Sequence, residues 1–196
     1  LDIRGSGLVF GYRQSGIVTR VGVEYYNTLL KGAISKKLNK PFESEKTTLF
    51  FWGKSLIPIY YISNSEDRFS FYTKIHNAKK EGDFKDIKNE LRDRYGQIPK
   101  ETKSFINLAK LSLLYRGSLV SDININEESL VFKLPGKIES GGGSRLVSKI
   151  LSYENNSVVN KSFKERSGFV SVIFLTKKDY HWYDVLINCN SLFYEA

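Results

Sequence analysis

Four stretches carry residue types that could do chemistry. GSGLVFG (5–11) has the glycine content of a phosphate-cradling loop, but its spacing is G-x-G-x-x-x-G rather than G-x-G-x-x-G, and no full strand precedes it. GKS (53–55) resembles the end of a P-loop, yet Thr48 stands where the leading glycine is required. DININEE (122–128) offers three calcium-type oxygen ligands, then places Glu127 where such a loop needs glycine for its sharp turn. Its isoleucines alternate, which reads as a strand. His76, His181 and Cys189 lie too far apart in sequence for zinc spacing, and His181 beside Trp182, Tyr183 and Asp184 reads as a packing or surface residue. These patterns argue against a catalytic centre, a metal site or ATP binding by this chain alone.

The elements that would position such residues follow from periodicity. Val21, Tyr25 and Leu29 recur every four residues, so 21–34 is a helix after a glycine-punctuated loop. SKKLNKPFESEK (35–46) is a polar linker, which divides the chain into residues 1–41 and 42–196. TTLFFWG (47–53) is β-branched and aromatic, hence a strand, and SLIPIYYISNSE continues extended. Arg68–Ala78 is helical behind Ser63, Asn64 and Ser65 as cap candidates. Asp83–Tyr95 is a second helix ended by Gly96, and a third runs from Pro99 to about Tyr115. LVSDINI and SLVFKL pair as strands around an NEE turn, Arg145–Tyr153 is a short helix, and GFVSVIFL (168–175) is a strand. DYHWYDVLINCNSLF (179–193) closes as an amphipathic helix. Helices and strands mix without strict alternation, which predicts an α+β fold: a small sheet packed with several helices.

Composition sets outer limits. The chain has 196 residues, 41% hydrophobic and 26% charged, as in a globular protein. No apolar run approaches the roughly 18 residues of a membrane span, and no signal-peptide pattern is present. The single Cys189 permits no intrachain disulfide, pointing to a reducing, cytoplasmic setting. The net charge of +9 is uneven. Residues 1–41 hold seven basic residues (Arg4, Arg13, Arg20, Lys31, Lys36, Lys37, Lys40) against Asp2 and Glu24, a net of +5, whereas 42–196 carry 23 against 19, a net of +4. Such a front-loaded charge suits either a solvated face or a DNA contact through Arg13, Arg20, Lys36, Lys37 and Lys40.

The helix 83–95 separates its charges. At about 100° per residue, Phe84, Ile87, Leu91 and Tyr95 form one stripe facing the core. Asp86, Glu90 and Asp93 fall on one flank with Arg94 at its edge, while Lys85, Lys88 and Arg92 fall on the other. Glu90 and Arg94 could pair along the helix. Alternatively, Glu90, Asp93 and Arg94 form a docking patch for a basic partner.

LDIRGSGLVFGYRQSG followed by VGVEYYNTLLKGAI resembles the transcription-repair coupling factors, the Mfd family, whose pattern is L-x-I-R-G-x-G-x-x-x-G-x-x-Q-S-G and then V-G-F-x-x-Y-x-x-x-L-x-x-A. LIPIYYISNSEDRFSFYTKI resembles the family's I-P-x-x-Y-I segment and R-x-x-x-Y helix, and ELRDRYGQIP (90–99) its E-L-x-D-R-F-G-x-x-P signature. The resemblance runs in order from residue 1 to about 115. The helicase RecG shares R-G-x-G and G-x-x-Q-S-G but departs beyond Gly16. This chain has Tyr12 and Arg13 where acidic residues are common, and Val23 and Tyr95 where Phe is commoner.

The resemblance implies a C-terminal fragment: the distal part of the translocation motif, then a regulatory domain. Arg4 and Gln14 would match the motif residues that couple ATP hydrolysis to movement on double-stranded DNA in the parent, with ATP and magnesium bound upstream. Glu90, Asp93 and Arg94 would match a patch that docks on the parent's own UvrB-like module and masks UvrA binding until RNA polymerase is engaged. The fragment alone would have no catalytic activity. The alternatives are a basic DNA-contacting module and a RecG-like fork-remodelling fragment.

Overall fold

The computed structural model describes residues 47–136, 142–166 and 168–194. Residues 1–46, with Arg4, Arg13, Gln14, Arg20, Lys36, Lys37 and Lys40, lie outside the described residues, as does the expected domain boundary after residue 41. The fold is α+β. A five-stranded mixed sheet has the order β1-β2-β3-β5-β4, in which β1 (Thr48–Phe51) runs parallel to β2 (Asp122–Ile125). The remaining pairs, through β3 (Ser129–Pro135), β5 (Phe169–Thr176) and β4 (Val158–Arg166), are antiparallel.

Three helices connect β1 to β2: α1 (Ser65–Asn77), α2 (Glu81–Tyr95) and α3 (Lys100–Leu114). A long crossover is what a parallel pair requires. After β3 comes α4 (Gly142–Ser152), and after β5 comes α5 (Trp182–Cys189), which tightens into a 3₁₀ turn over Asn190–Phe193. The expected helix over 179–193 is therefore shorter, with His181 just ahead of its first turn.

Helix ends follow local chemistry. Asn64 caps α1, its Oδ1 accepting from the N–H groups of Glu66 and Asp67 at 2.8 and 3.0 Å. Asp83 reaches back to accept from the N–H of Lys79 and Lys80 at the start of α2. Gly96 ends α2 at φ +77°, where its N–H bonds the Arg92 carbonyl at 2.9 Å and a side chain would be strained.

The core has two lobes. Ile57, Ile62, Phe71, Ile75, Phe84, Ile87, Leu91, Ile98, Phe105 and Ile106 pack α1–α3 together. One face of the sheet (Ile123, Ile125, Leu130, Phe132, Leu134, Val172, Phe174) packs against α3, α4, α5 and the 3₁₀ turn. The α3 helix serves both, turning Phe105 and Ile106 to the helices and Leu108 and Leu111 to the sheet. Phe132 stacks on Phe193 at 4.5 Å between ring centroids, and Tyr115 donates from its hydroxyl to the Leu186 carbonyl at 2.8 Å. DININEE is strand β2 and its turn, as its alternation predicts.

The β4 strand escaped the sequence reading. VVNKSFKER is an edge strand with little apolar alternation. Lys161 points from it toward the end of α4, donating to the carbonyls of Ile150 (3.0 Å), Leu151 (2.8 Å) and Tyr153.

Candidate interaction surface

The acidic flank of α2 meets α1 across the helix pair. Phe84, Ile87 and Leu91 are buried, which fixes the rotation of α2 and turns Glu90 and Arg94 toward α1. Glu90 accepts from Lys74 Nζ at 2.7 Å on both carboxylate oxygens. Arg94 then bridges: Nη1 lies 3.3 Å from Glu90 Oε1 and Nη2 lies 3.1 Å from Asp67 Oδ1. The Tyr95 hydroxyl donates to the other Asp67 oxygen at 2.9 Å. The Arg94 guanidinium also lies over the rings of Tyr95 and Phe71, at 5.0 and 5.5 Å.

The electrostatics follow from these contacts. The hydrogen bond from Tyr95 first, with the hydrogen bond and charge of Arg94 adding to it, holds the Asp67 carboxyl below its ordinary range against the opposing effect of desolvation. The Lys74 hydrogen bond does the same for Glu90, with Arg94 adding to it. Both acids are therefore ionised at neutral pH. Asp93 and Asp86 sit further out, exposed, with no hydrogen bond or ion pair among the described residues. Glu90 and Arg94 thus belong to a lattice within the molecule, and Asp93 stands free beside it. Asp67, Lys74 and Tyr95 were not foreseen as members, because no spacing rule links α1 to α2.

The R-x-x-x-Y pair has a structural task nearby. Arg68 is buried and donates through Nη1 to the carbonyls of Ile62 (2.7 Å) and Ser63 (2.8 Å). The Ile57 N–H donates to the Tyr72 hydroxyl at 2.8 Å, and Thr102 Oγ1 donates to the Leu56 carbonyl at 3.1 Å. Tyr61 donates to the Leu91 carbonyl at 3.0 Å. The segment after β1 does not continue extended as expected but turns at 59–61, where the N–H groups of Tyr61 and Ile62 donate to the Pro58 carbonyl at 3.1 Å, and these side-chain bonds pin it onto the helices, leaving Trp52, Ile59 and Tyr60 exposed.

The other residues with chemical character stay apart. His181 Nδ1 contacts Asp184 Oδ2 at 2.9 Å on an open surface, with the two side chains 72% and 65% exposed. Cys189 is buried beneath Tyr115, and burial pushes its thiol up to about 12. No group of three or more His, Cys, Asp or Glu among the described residues could hold a metal ion. No described helix is long and apolar enough to cross a membrane.

Fold and surface together define an α+β domain whose most organised polar feature is an ion-pair lattice between two helices. Residues 53–140 match the TRCF domain family. The transcription-repair-coupling factor of Borreliella burgdorferi is 28% identical over 180 residues, covering 91% of this chain and 16% of that protein. That of Buchnera aphidicola is 36% identical over 125 residues (58% and 15%), and that of Escherichia coli 34% over 117 residues (57% and 10%). A crystal structure of the C-terminal domain of a transcription-repair coupling factor shares the fold, with a TM-score of 0.58 at 18% identity, covering 76% of this chain and 93% of that one. Residues 53–140 are thus a TRCF domain, and the chain carries the fold of the C-terminal domain of a transcription-repair coupling factor. It spans about a sixth or less of the length of these curated relatives.

Proposed function

We propose that the chain is a regulatory part of a transcription-repair coupling factor. It docks through Glu90, Asp93 and Arg94 on the UvrB-like module of the same parent protein and masks the UvrA-binding surface. The observation that carries this reading is the free Asp93 carboxylate beside the Lys74–Glu90–Arg94–Asp67 lattice. Fixed charges cost little entropy to dock, and the lattice holds Glu90 and Arg94 in one geometry. Release when the parent engages stalled RNA polymerase would be a population shift between docked and open states, with the ion pairs as part of the latch. Arg4 and Gln14 would serve the parent's motor, where ATP and magnesium bind and double-stranded DNA is moved. The chain alone contributes binding rather than catalysis.

Isothermal titration of the chain against the UvrB-like module, at two salt concentrations, tests this. Binding should weaken with salt and weaken severalfold in Asp93→Ala, while the melting temperature stays unchanged. Salt-independent binding, or an Asp93→Ala variant that binds as the parent does, removes the acidic edge from the interface.

A further inference from the structure

The opposite flank of α2 has the reverse character, and the docking reading does not use it. Lys85, Lys88 and Arg92 lie along it at i, i+3 and i+7. Lys103 and Lys110 lie seven residues apart on the neighbouring flank of α3. The packing of Phe84, Ile87 and Leu91 against Phe105 and Ile106 brings these two rows together. Lys110 pairs with Glu81 and lies over the Phe84 ring at 5.7 Å. Arg92 has only a long contact to Asn89 at 3.4 Å. Lys85, Lys88 and Lys103 have no ion pair among the described residues. Burial holds the half-buried Lys88 ammonium below the ordinary lysine range. The charges of Lys110, Arg92 and Lys103 press the same way, and only Glu81 opposes them. Folding thus sets Lys88 among Lys110, Arg92 and Lys103, with Glu81 as the opposing charge, a local excess of positive charge that an anion would relieve.

We propose that Lys85, Lys88, Arg92, Lys103 and Lys110 form a binding site for the phosphodiester backbone of duplex DNA. Each row spans seven residues, about 10 Å of helix axis. Duplex DNA carries one charge per roughly 3.4 Å on each strand, so about three phosphates of each strand lie along that length. Four of the five groups are lysines, which contact phosphate as mobile point charges. Single strands are held largely by base stacking on aromatic rings. Here Phe84 and Phe105 are buried and Tyr95 is engaged with Asp67, so none of these three rings is offered to a base. None of these five residues belongs to the basic stretch 1–41.

The test is fluorescence anisotropy of the full chain with a mixed-sequence duplex and with a single strand of equal length, over a salt series. Four cations beyond the one paired with Glu81 give a log–log salt slope of about −4 or steeper. Lys88→Gln with Lys103→Gln should make that slope shallower by about 2. Lys85→Gln with Arg92→Gln, at two exposed positions, should do the same, and Lys164→Gln with Lys177→Gln should leave it unchanged. Lys88→Gln keeps two of the four methylenes and removes a like charge from a half-buried position, so that variant should melt no lower than the parent chain. Three results would overturn the proposal. In one, binding follows Lys36→Gln, Lys37→Gln and Lys40→Gln while ignoring both helix pairs. In another, the single strand binds as tightly as the duplex. In the third, a polyglutamate competitor is preferred to duplex.

Discussion

Arg68→Met should unfasten the segment between β1 and α1. The Arg68 side chain is 7% exposed and donates to two carbonyls, those of Ile62 and Ser63. Methionine fills a similar volume but donates nothing, so both carbonyls lose a charged donor. Hydrogen bonds to charged groups contribute about 1.5–3 kcal/mol each, and a buried carbonyl left unsatisfied costs about 1–3 kcal/mol. Removing a buried charge recovers part of this. A net loss of about 3 kcal/mol is expected, and at about 2–4 °C per kcal/mol the melting temperature should fall by roughly 6–12 °C. Tyr72→Phe removes one acceptor, that of the Ile57 N–H, and should cost about 1–2 kcal/mol. Urea unfolding of both single variants and the double variant measures the terms. A coupling between them would be expected, because both bonds fix one segment. An Arg68→Met loss below about 1 kcal/mol, or full additivity, would refute the view that this pair pins the segment.

Three further outcomes are expected. The carboxyls of Asp67, Glu90 and Asp83 are held below their ordinary range, so their contribution is present above that range and is lost as pH falls through the lowered folded values. Melting curves taken toward acid should show this decline, and Asp67→Asn should flatten it. Cys189, pushed up to about 12, should have a thiolate fraction at neutral pH about a thousandfold below an ordinary thiol. Alkylation in the native state should then occur only through opening, and native labelling at the free-thiol rate would contradict its burial. The sign at high pH follows as well: the folded form keeps a proton that the unfolded chain releases, so stability falls as pH rises from the ordinary thiol range toward about 12, and Tyr115 acts in the same direction. Lys161→Met should cost about 1–2 kcal/mol by stripping the carbonyls at the end of α4, read as a lower urea midpoint at unchanged slope.

The sequence by itself determined the class and most of the elements. The alternating isoleucines of DININEE, the β-branched and aromatic run of GFVSVIFL, helical spacing in Phe84, Ile87 and Leu91, and the punctuation of Asn64, Gly96 and Pro99 are local signals, and local sterics and capping act without reference to the rest of the chain. The charge separation along α2 was equally legible, since helix geometry alone sets it. Only the tertiary structure decided what those charges meet. Glu90 and Arg94 are tied to Lys74 and Asp67, 16 and 27 positions away, and Lys88 is crowded by Lys103 and Lys110 on another helix. The β4 strand was illegible for the same reason: an edge strand is specified by its partner's unpaired backbone rather than by its own apolar pattern. Pairings between distant residues depend on how the helices pack and rotate, and that is fixed by burial across the whole core rather than by any spacing along the chain.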